Sequence, residues 1–97
     1  MGQNIRITCV KLDPQREPCE RVRKIGGVYP DGSRWQLRIE EAIAGASAGK
    51  WHFHVDGDVH SMVKVIIATS SSGQRFLKSQ YDGLEPSSLL KLPECPD

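Results

Sequence analysis

Three histidines lie close together in the sequence, on either side of the acidic segment Asp56-Gly57-Asp58. Successive side chains on a β-strand point to opposite faces, so His52 and His54 share a face. If the chain turns back at residues 56–58, His60 lies across from His54 on the neighbouring strand. Imidazoles that converge from two strands can hold a divalent metal ion and leave one position open. The candidate metal ligands are His52, His54 and His60, with Asp56 and Asp58 beside them, and no other cofactor is indicated.

The histidine face also has a simpler interpretation, the polar side of a solvated hairpin, and the sequence favours this interpretation over a metal site. Imidazoles with pKa values near about 6.5 would make such a face responsive to pH. The histidines therefore make this face chemically distinctive, but they do not indicate its function.

The chain has three cysteines, Cys9, Cys19 and Cys95, and no two of them form a Cys-x-x-Cys pair. An odd number of cysteines, with no secretory signal in the first residues, favours reduced thiols in the cytoplasm. Cys9 alternates with Ile5 and Ile7 on the inward side of a predicted strand, so a C-terminal segment packed over the sheet could bring Cys95 near it. One interpretation is a thiol pair that senses redox state or shares a metal ion. The interpretation that the sequence favours is a small buried residue and a separate tail residue.

Basic residues are concentrated in the first part of the chain. Residues 1–38 hold eight Lys or Arg against four Asp or Glu, whereas residues 39–97 hold five against eight. Cations beside aromatic rings are typical of single-stranded nucleic-acid sites. The candidate residues for such a site are Arg21, Arg23, Lys24, Arg34, Trp35 and Arg38. No nucleic-acid-binding signature accompanies them and exposed strand edges explain them as well, so a protein partner is favoured over nucleic acid.

The sequence contains no catalytic motif. Ser61 belongs to an apolar strand face, and no Gly-x-Ser-x-Gly turn or glycine-rich phosphate loop accompanies it. No run of about 18 apolar residues is present, so no membrane span is predicted. A chain of 97 residues builds one modest core, so we expect a single domain over residues 1–97. Catalysis is left open and without support from any motif.

The stretch of residues 51–69 must position these groups, because its odd-numbered residues are almost all apolar. This alternation is typical of two strands that are buried on one side. A two-residue loop would send the two apolar sets to opposite faces. A three-residue loop at 56–58 keeps them together, pairing Val55 with Val59 and Trp51 with Val63, and is the arrangement predicted here.

One helix and a short tail complete the predicted core. Ile39, Ala42, Ile43 and Ala46 recur with helical spacing, and Gly49 is the expected stop. A polar loop at Ser70–Gly73 is expected to pair Ile67 with Phe76, which leaves Ile66 opposite Leu77 on the histidine face. An exposed apolar spot there needs a cover. The expected cover is one helical turn of the tail, with Leu84, Leu89, Leu90 and Leu92.

Three short segments spaced along the chain form a distinctive series: Ile7-Thr8-Cys9, Ile25-Gly26-Gly27 and Leu92-Pro93-Glu94-Cys95. With Trp35 and Glu41-Ala42-Ile43 between them, they resemble domain of unknown function family 3892, a family of small bacterial proteins. The resemblance implies a stand-alone bacterial domain and carries over no reaction or ligand. Arg38 stands where the family pattern has a serine-type helix cap, and the histidines are not part of the pattern.

These features together predict an α+β fold, an antiparallel β-sheet with element order β-β-α-β-β-β and one helix packed on the face of Trp51, Phe53, Val65 and Ile67. The function that fits is a cytoplasmic binding or interaction module that uses a sheet face or edge. We expect a monomer or a weak homodimer through an edge strand. The alternatives are nucleic-acid binding by the basic N-terminal half and a divalent metal on the histidine face.

Overall fold

The structure, a computed structural model, describes residues 2–56, 62–83 and 85–96. Its strands are β1 (Gln3–Arg6), β2 (Cys9–Leu12), β3 (Val22–Val28), β4 (Arg34–Arg38), β5 (Trp51–Asp56), β6 (Met62–Thr69) and β7 (Arg75–Ser79). The helices are α1 (Ile39–Ser47) and the single turn α2 (Ser87–Leu90), and a 3-10 turn covers Pro18–Glu20. The predicted α+β class is confirmed.

The strands form two sheets, with orders β1-β5-β6-β7 and β2-β3-β4. The predicted first strand divides at Ile7 and Thr8: β1 pairs in parallel with β5, whereas β2 pairs antiparallel with β3. This division reverses the predicted orientation of Cys9, because Val10 is the buried residue of β2 and Cys9 is only half-buried on the opposite side. The first sheet therefore contains one parallel pair where an entirely antiparallel sheet was expected.

Strand β4 was not predicted, although its sequence alternates in the expected way. Trp35 and Leu37 are half-buried, and the residues between and beside them are exposed. A turn precedes it, with Gly32 at φ 92° and its N–H donating to the Tyr29 carbonyl at 2.9 Å.

Helix α1 has the predicted stripe, with Ile39, Ala42 and Ile43 buried. Its end is a Schellman motif: the N–H of Lys50 donates to the Gly45 carbonyl and the N–H of Gly49 to the Ala46 carbonyl. Gly49 has a φ of 77°, as expected for the stop residue. The Arg38 side chain makes no cap hydrogen bond at the start of the helix, so docking onto the sheets must stabilise it.

The central hairpin keeps its predicted faces but has a different register. Val55 pairs with Val63, not with Val59, and Asp56 pairs with Met62. The register therefore differs from the predicted one by four residues. Because four is an even number, Phe53, Val55 and Val65 still point into one core. The predicted turn residues Gly57 and Asp58, with Val59, lie outside the described residues.

The register of β6 and β7 differs from the prediction by one residue, and here the faces exchange. Ile67 pairs with Leu77 and Ala68 with Phe76. Gln74 belongs to the loop, where its carbonyl accepts a hydrogen bond from the Ser70 N–H and Gly73 adopts a φ of 88°. Leu77 therefore joins the core and Phe76 is buried on the other face of the sheet.

The two sheets, α1 and α2 enclose one core. Leu89 of α2 is fully buried within it, and Leu90 and Leu92 pack against it. The predicted helical turn of the tail is present, but it covers the main core and not the apolar spot on the histidine face. Leu84, the remaining residue of the expected cover, lies outside the described residues.

Gly45 permits the closest approach of α1 to the first sheet, and replacing it tests this packing. A Cβ at Gly45 would overlap the Trp51 ring, which also lies beneath the Lys50 ammonium group. We expect Gly45→Ala to lower the free energy of unfolding by about 1–2 kcal/mol. Helix propensity alone predicts a gain of about 1 kcal/mol. Urea denaturation provides the measurement.

The matched control is Ala44→Gly, at the neighbouring exposed helix position. We expect it to cost about 1 kcal/mol through propensity alone. A more stable Gly45→Ala protein would contradict the close packing of Trp51 on the helix.

Candidate functional site

The three segments of the distinctive series meet at one place, although they are far apart in the sequence. Cys9 and Cys95 form a disulfide across a sequence separation of 86. Beside it, the Val10 N–H donates to the Pro93 carbonyl and the Cys95 N–H donates to the Val10 carbonyl, both at 3.0 Å. Residues 93–96, the tail segment, thus form an isolated parallel bridge at the edge of β2, between Glu94 and Val10.

Gly26 of β3 makes room for the disulfide, and the next residue, Gly27, makes room for the Trp35 ring on the opposite face. A Cβ at Gly26 would lie 2.9 Å from the sulfur of Cys9 and 2.9 Å from that of Cys95. A Cβ at Gly27 would lie 2.9 Å from Nε1 of Trp35. These distances are shorter than normal contacts, so the disulfide lies directly over Gly26 and the indole directly against Gly27. The sequence showed the paired glycines but not what they accommodate.

The disulfide lies on the face of the second sheet that points away from the core, the outer face. In β3, Ile25 faces the core and is fully buried, so its neighbours in the strand point outward. The tail segment reaches across this face, because the side-chain N–H of Gln36 on β4 donates to the Pro96 carbonyl at 2.8 Å. The expectation of three reduced thiols does not hold for Cys9 and Cys95, which the structure joins as a disulfide.

Three cations form a row next to the disulfide. Lys24 lies opposite Lys11 on one side and opposite Arg38 on the other. Residues directly opposite on adjacent strands have Cβ atoms about 5 Å apart, so this basic row of Lys11, Lys24 and Arg38 brings three like charges together. Arg34 follows on the same face, opposite Val28.

The predicted nucleic-acid residues are only partly brought together. Lys24, Arg34 and Arg38 share the outer face, but Trp35 points inward and stacks on Phe53, with ring centroids 6.2 Å apart. Arg23 pairs with Glu40 at 3.2 Å, and Arg21 donates to the Arg16 carbonyl at 3.3 Å. Lys11, which completes the row, was missed because only the cross-strand register reveals it.

The histidine face lies on the first sheet, whereas the disulfide and the basic row lie on the second. His52 is exposed and His54 half-buried, and they line a cleft of about 450 Å³. The residue opposite His54 is Lys64, not His60, which lies outside the described residues. Among the described residues, no three His, Cys, Asp or Glu side chains are grouped as metal ligands. An ammonium group opposite His54 also disfavours a bound cation.

Electrostatics on this face set the protonation state of His54. Partial burial lowers the pKa of His54 below its ordinary value, while the Asp56 carboxylate opposes the shift and the Arg6 guanidinium adds to it. Asp56 forms an exposed ion pair with Arg6, at 3.4 Å, and Asp58 lies outside the described residues. His54 therefore favours the neutral form.

The third cysteine, Cys19, lies in the 3-10 turn and is half-buried. Burial raises the pKa of the Cys19 thiol, and the carboxylates of Glu85, Glu20 and Glu17 raise it further, against the effect of Lys78. A raised pKa leaves less thiolate at neutral pH, and the thiolate is the reactive form. Cys19 thus differs chemically from the bonded pair.

Comparison with known proteins places the chain in a family. The family model described as "Protein of unknown function (DUF3892)" matches residues 6–93. The match covers nearly the whole chain, so the protein belongs to this domain-of-unknown-function family. No curated protein and no solved structure matches it. In the described ranges, none of the helices has the length and apolar character needed to cross a membrane.

Replacing Gly26 tests whether the disulfide lies directly over this glycine. We expect Gly26→Ala to destabilise the oxidised protein by about 1–3 kcal/mol, because the added methyl group meets both sulfurs and the Trp35 carbonyl. The oxidised fraction after refolding in air should also fall. Urea denaturation and mass spectrometry of the intact protein measure these two quantities.

Gly83→Ala is the control, since a Cβ at Gly83 has no atom within 4 Å. Its effect on stability should stay within about 0.5 kcal/mol. Equal stability and an equal oxidised fraction in the two variants would show that no sulfur lies over Gly26.

The lowered pKa of His54 predicts how stability changes with pH. The unfolded state binds the proton more tightly than the folded state, so stability rises with pH through the interval below about 6.5 and levels off above it. We expect acidification from about pH 7 to pH 5 to destabilise His54→Gln less than the parent protein. Urea denaturation at a series of pH values provides the test.

His52 and His60 are present in both proteins, so the difference between the two profiles isolates His54. Profiles that run parallel over the whole interval would rule out the proposed shift.

Proposed function

We propose that the protein is a binding module whose outer face takes an acidic, extended protein segment. The observation that carries the proposal is the basic row, in which Lys24 lies directly between Lys11 and Arg38. A sheet face is suited to this task because strands present side chains at regular intervals to an extended partner. We propose no catalytic role. A bacterial setting is a proposal supported by the family resemblance, and a cytoplasmic setting is a separate proposal.

The electrostatics of the row favour a partner with negative charge. Like charges directly opposite on neighbouring strands are destabilising. Within the described part of the chain, the side chains of Lys24, Arg34 and Arg38 make no ion pair or hydrogen bond. Two carboxylates close in sequence to the row are engaged elsewhere, Glu40 with Arg23 and Asp13 with Arg16. An acidic segment laid across Lys24, Arg34 and Arg38 would relieve this repulsion.

The absence of a stacking ring on the strands of this face favours protein over nucleic acid. Trp35 is on the opposite face, against Phe53, so it offers no platform for a base. Val28 is 47% exposed and lies opposite Arg34, which places an apolar contact beside a cation. A segment with alternating acidic and apolar side chains would contact both Arg34 and Val28. Nucleic acid remains the second candidate, supported by the charge of the row alone.

The charges also favour a monomer over self-pairing through β4. Two copies of β4 paired antiparallel about Gln36 would place Arg34 of one copy opposite Arg38 of the other. Such like-charge contacts disfavour pairing, and charged edges are a common protection against it. The face is therefore proposed to meet a different molecule and not a second copy.

Binding of a short fluorescent peptide that alternates glutamate with valine tests the proposal. We expect measurable affinity that falls with added salt, and a reduction of about tenfold for Lys24→Ala combined with Arg38→Ala, because two charge contacts are lost. Fluorescence anisotropy at several salt concentrations gives both quantities.

Lys64→Ala is the matched control, an exposed lysine on the first sheet. It should leave the affinity unchanged within about twofold. The same peptide with lysine in place of glutamate should not bind. Tighter binding of a single-stranded oligonucleotide than of the acidic peptide would replace this proposal with the nucleic-acid alternative. If the double variant and Lys64→Ala lose affinity equally, neither ligand binds at the outer face.

A further inference from the structure

We propose that the Cys9–Cys95 disulfide is a redox site for a dithiol reductant, and that its reduction releases the tail segment from the outer face. This inference rests on the proposed function for its consequence, because the released segment would uncover the surface that binds the acidic partner. The disulfide itself and the tail contacts are independent of that function.

The position of the disulfide allows a local change. Both sulfurs lie over Gly26 on the outer face, and neither cysteine belongs to the apolar cluster that unites the two sheets and α1. Cys9 is half-buried and Cys95 is 2% exposed, so Cys9 is the more accessible residue of the pair. Reduction would therefore leave the core contacts in place. A bond that only stabilised the fold would need no such accessible position.

The reaction is a thiol–disulfide exchange in two steps. A thiolate of the dithiol attacks the Cys9 sulfur, the S–S bond breaks, and Cys95 leaves as a thiolate that takes up a proton. The second thiol of the reductant then attacks the mixed disulfide and releases Cys9. Two electrons and two protons pass to the protein, and the reductant becomes a disulfide. The proposed cytoplasmic setting contains dithiol reductants of this class.

Without the disulfide, the described part of the chain holds the tail segment through few polar contacts. Within the described residues its remaining polar contacts are the two backbone hydrogen bonds to Val10 and the one from Gln36 to Pro96. Ordering four residues costs at least as much free energy as three such hydrogen bonds provide. Leu89 of α2 is fully buried, so the released part of the chain does not extend back into α2. The disulfide is thus the contact that keeps residues 93–96 in place.

The tail segment occupies the centre of the proposed binding surface. Gln36 lies between Arg34 and Arg38 on the outer face of β4, and the Pro96 carbonyl accepts its side-chain N–H. The segment also covers the outward N–H and C=O groups of Val10 at the β2 edge. Release of the segment would free Gln36 and this edge for an acidic strand, so the oxidised protein is the closed form and the reduced protein the open form.

The test compares binding of the glutamate–valine peptide to the oxidised protein and to the protein reduced with dithiothreitol. We expect reduction to tighten binding by about tenfold, the effect of removing one competing segment. Cys9→Ser combined with Cys95→Ser should bind as the reduced protein does, with or without reductant. Cys19→Ser is the matched control and should keep the full redox response. Equal affinity in the two states overturns the proposal.

Hydrogen exchange gives a readout that does not depend on the peptide. The Val10 and Cys95 amides, which donate the two tail hydrogen bonds, should exchange at least tenfold faster after reduction, while the Ile25 and Leu77 amides keep their protection. If these two amides open but no peptide binds in either state, the redox site stands and the proposed function fails. Loss of protection in the core, or protein that contains no disulfide after air oxidation, overturns the redox site.

Discussion

The structure depends on one constraint, the burial of a single shared core between two small sheets. The chain passes from the first sheet to the second within two residues, at Ile7 and Thr8, where the Ile7 N–H donates to the His54 carbonyl and the Thr8 N–H to the Gly26 carbonyl. Across the core, Trp35 of the second sheet stacks on Phe53 of the first. Because neither sheet buries enough apolar surface alone, the two must pack together.

This constraint gives the molecule two outer faces with different chemistry. The first sheet turns His52 and His54, Lys64 and the buried Phe76 away from the core. The second sheet turns the basic row, Gln36 and the disulfide away from it. The face that the sequence marked most strongly for chemistry, the histidine face, has a lysine opposite His54. The face that carries the distinctive cysteine and glycine segments was not recognised as a surface.

The local pattern of residues predicts which side chains of a strand share a face, but it does not predict how neighbouring strands are paired. Alternation in β5 and β6 correctly assigned Phe53 and Val65 to the core even though the predicted pairing was displaced by four residues, because an even shift preserves the faces. At β7 a shift of one residue exchanged Phe76 and Leu77, since the loop takes Gln74 as well as the polar residues before it. Alternation is a local property, whereas register depends on how each loop closes.

The sequence by itself determined the α+β class, the helix stripe that ends at Gly49, and which residues of the central hairpin face inward, because periodicity is tied directly to burial. Only the tertiary structure decided that Cys9 turns outward, that Cys95 meets it over Gly26, and that Lys11, Lys24 and Arg38 form one row. These contacts join segments distant in sequence, and they follow from the division of the first strand and the register of β2, β3 and β4. Neither is recorded in any local pattern of residues, because both are set by the packing of the whole chain around its core.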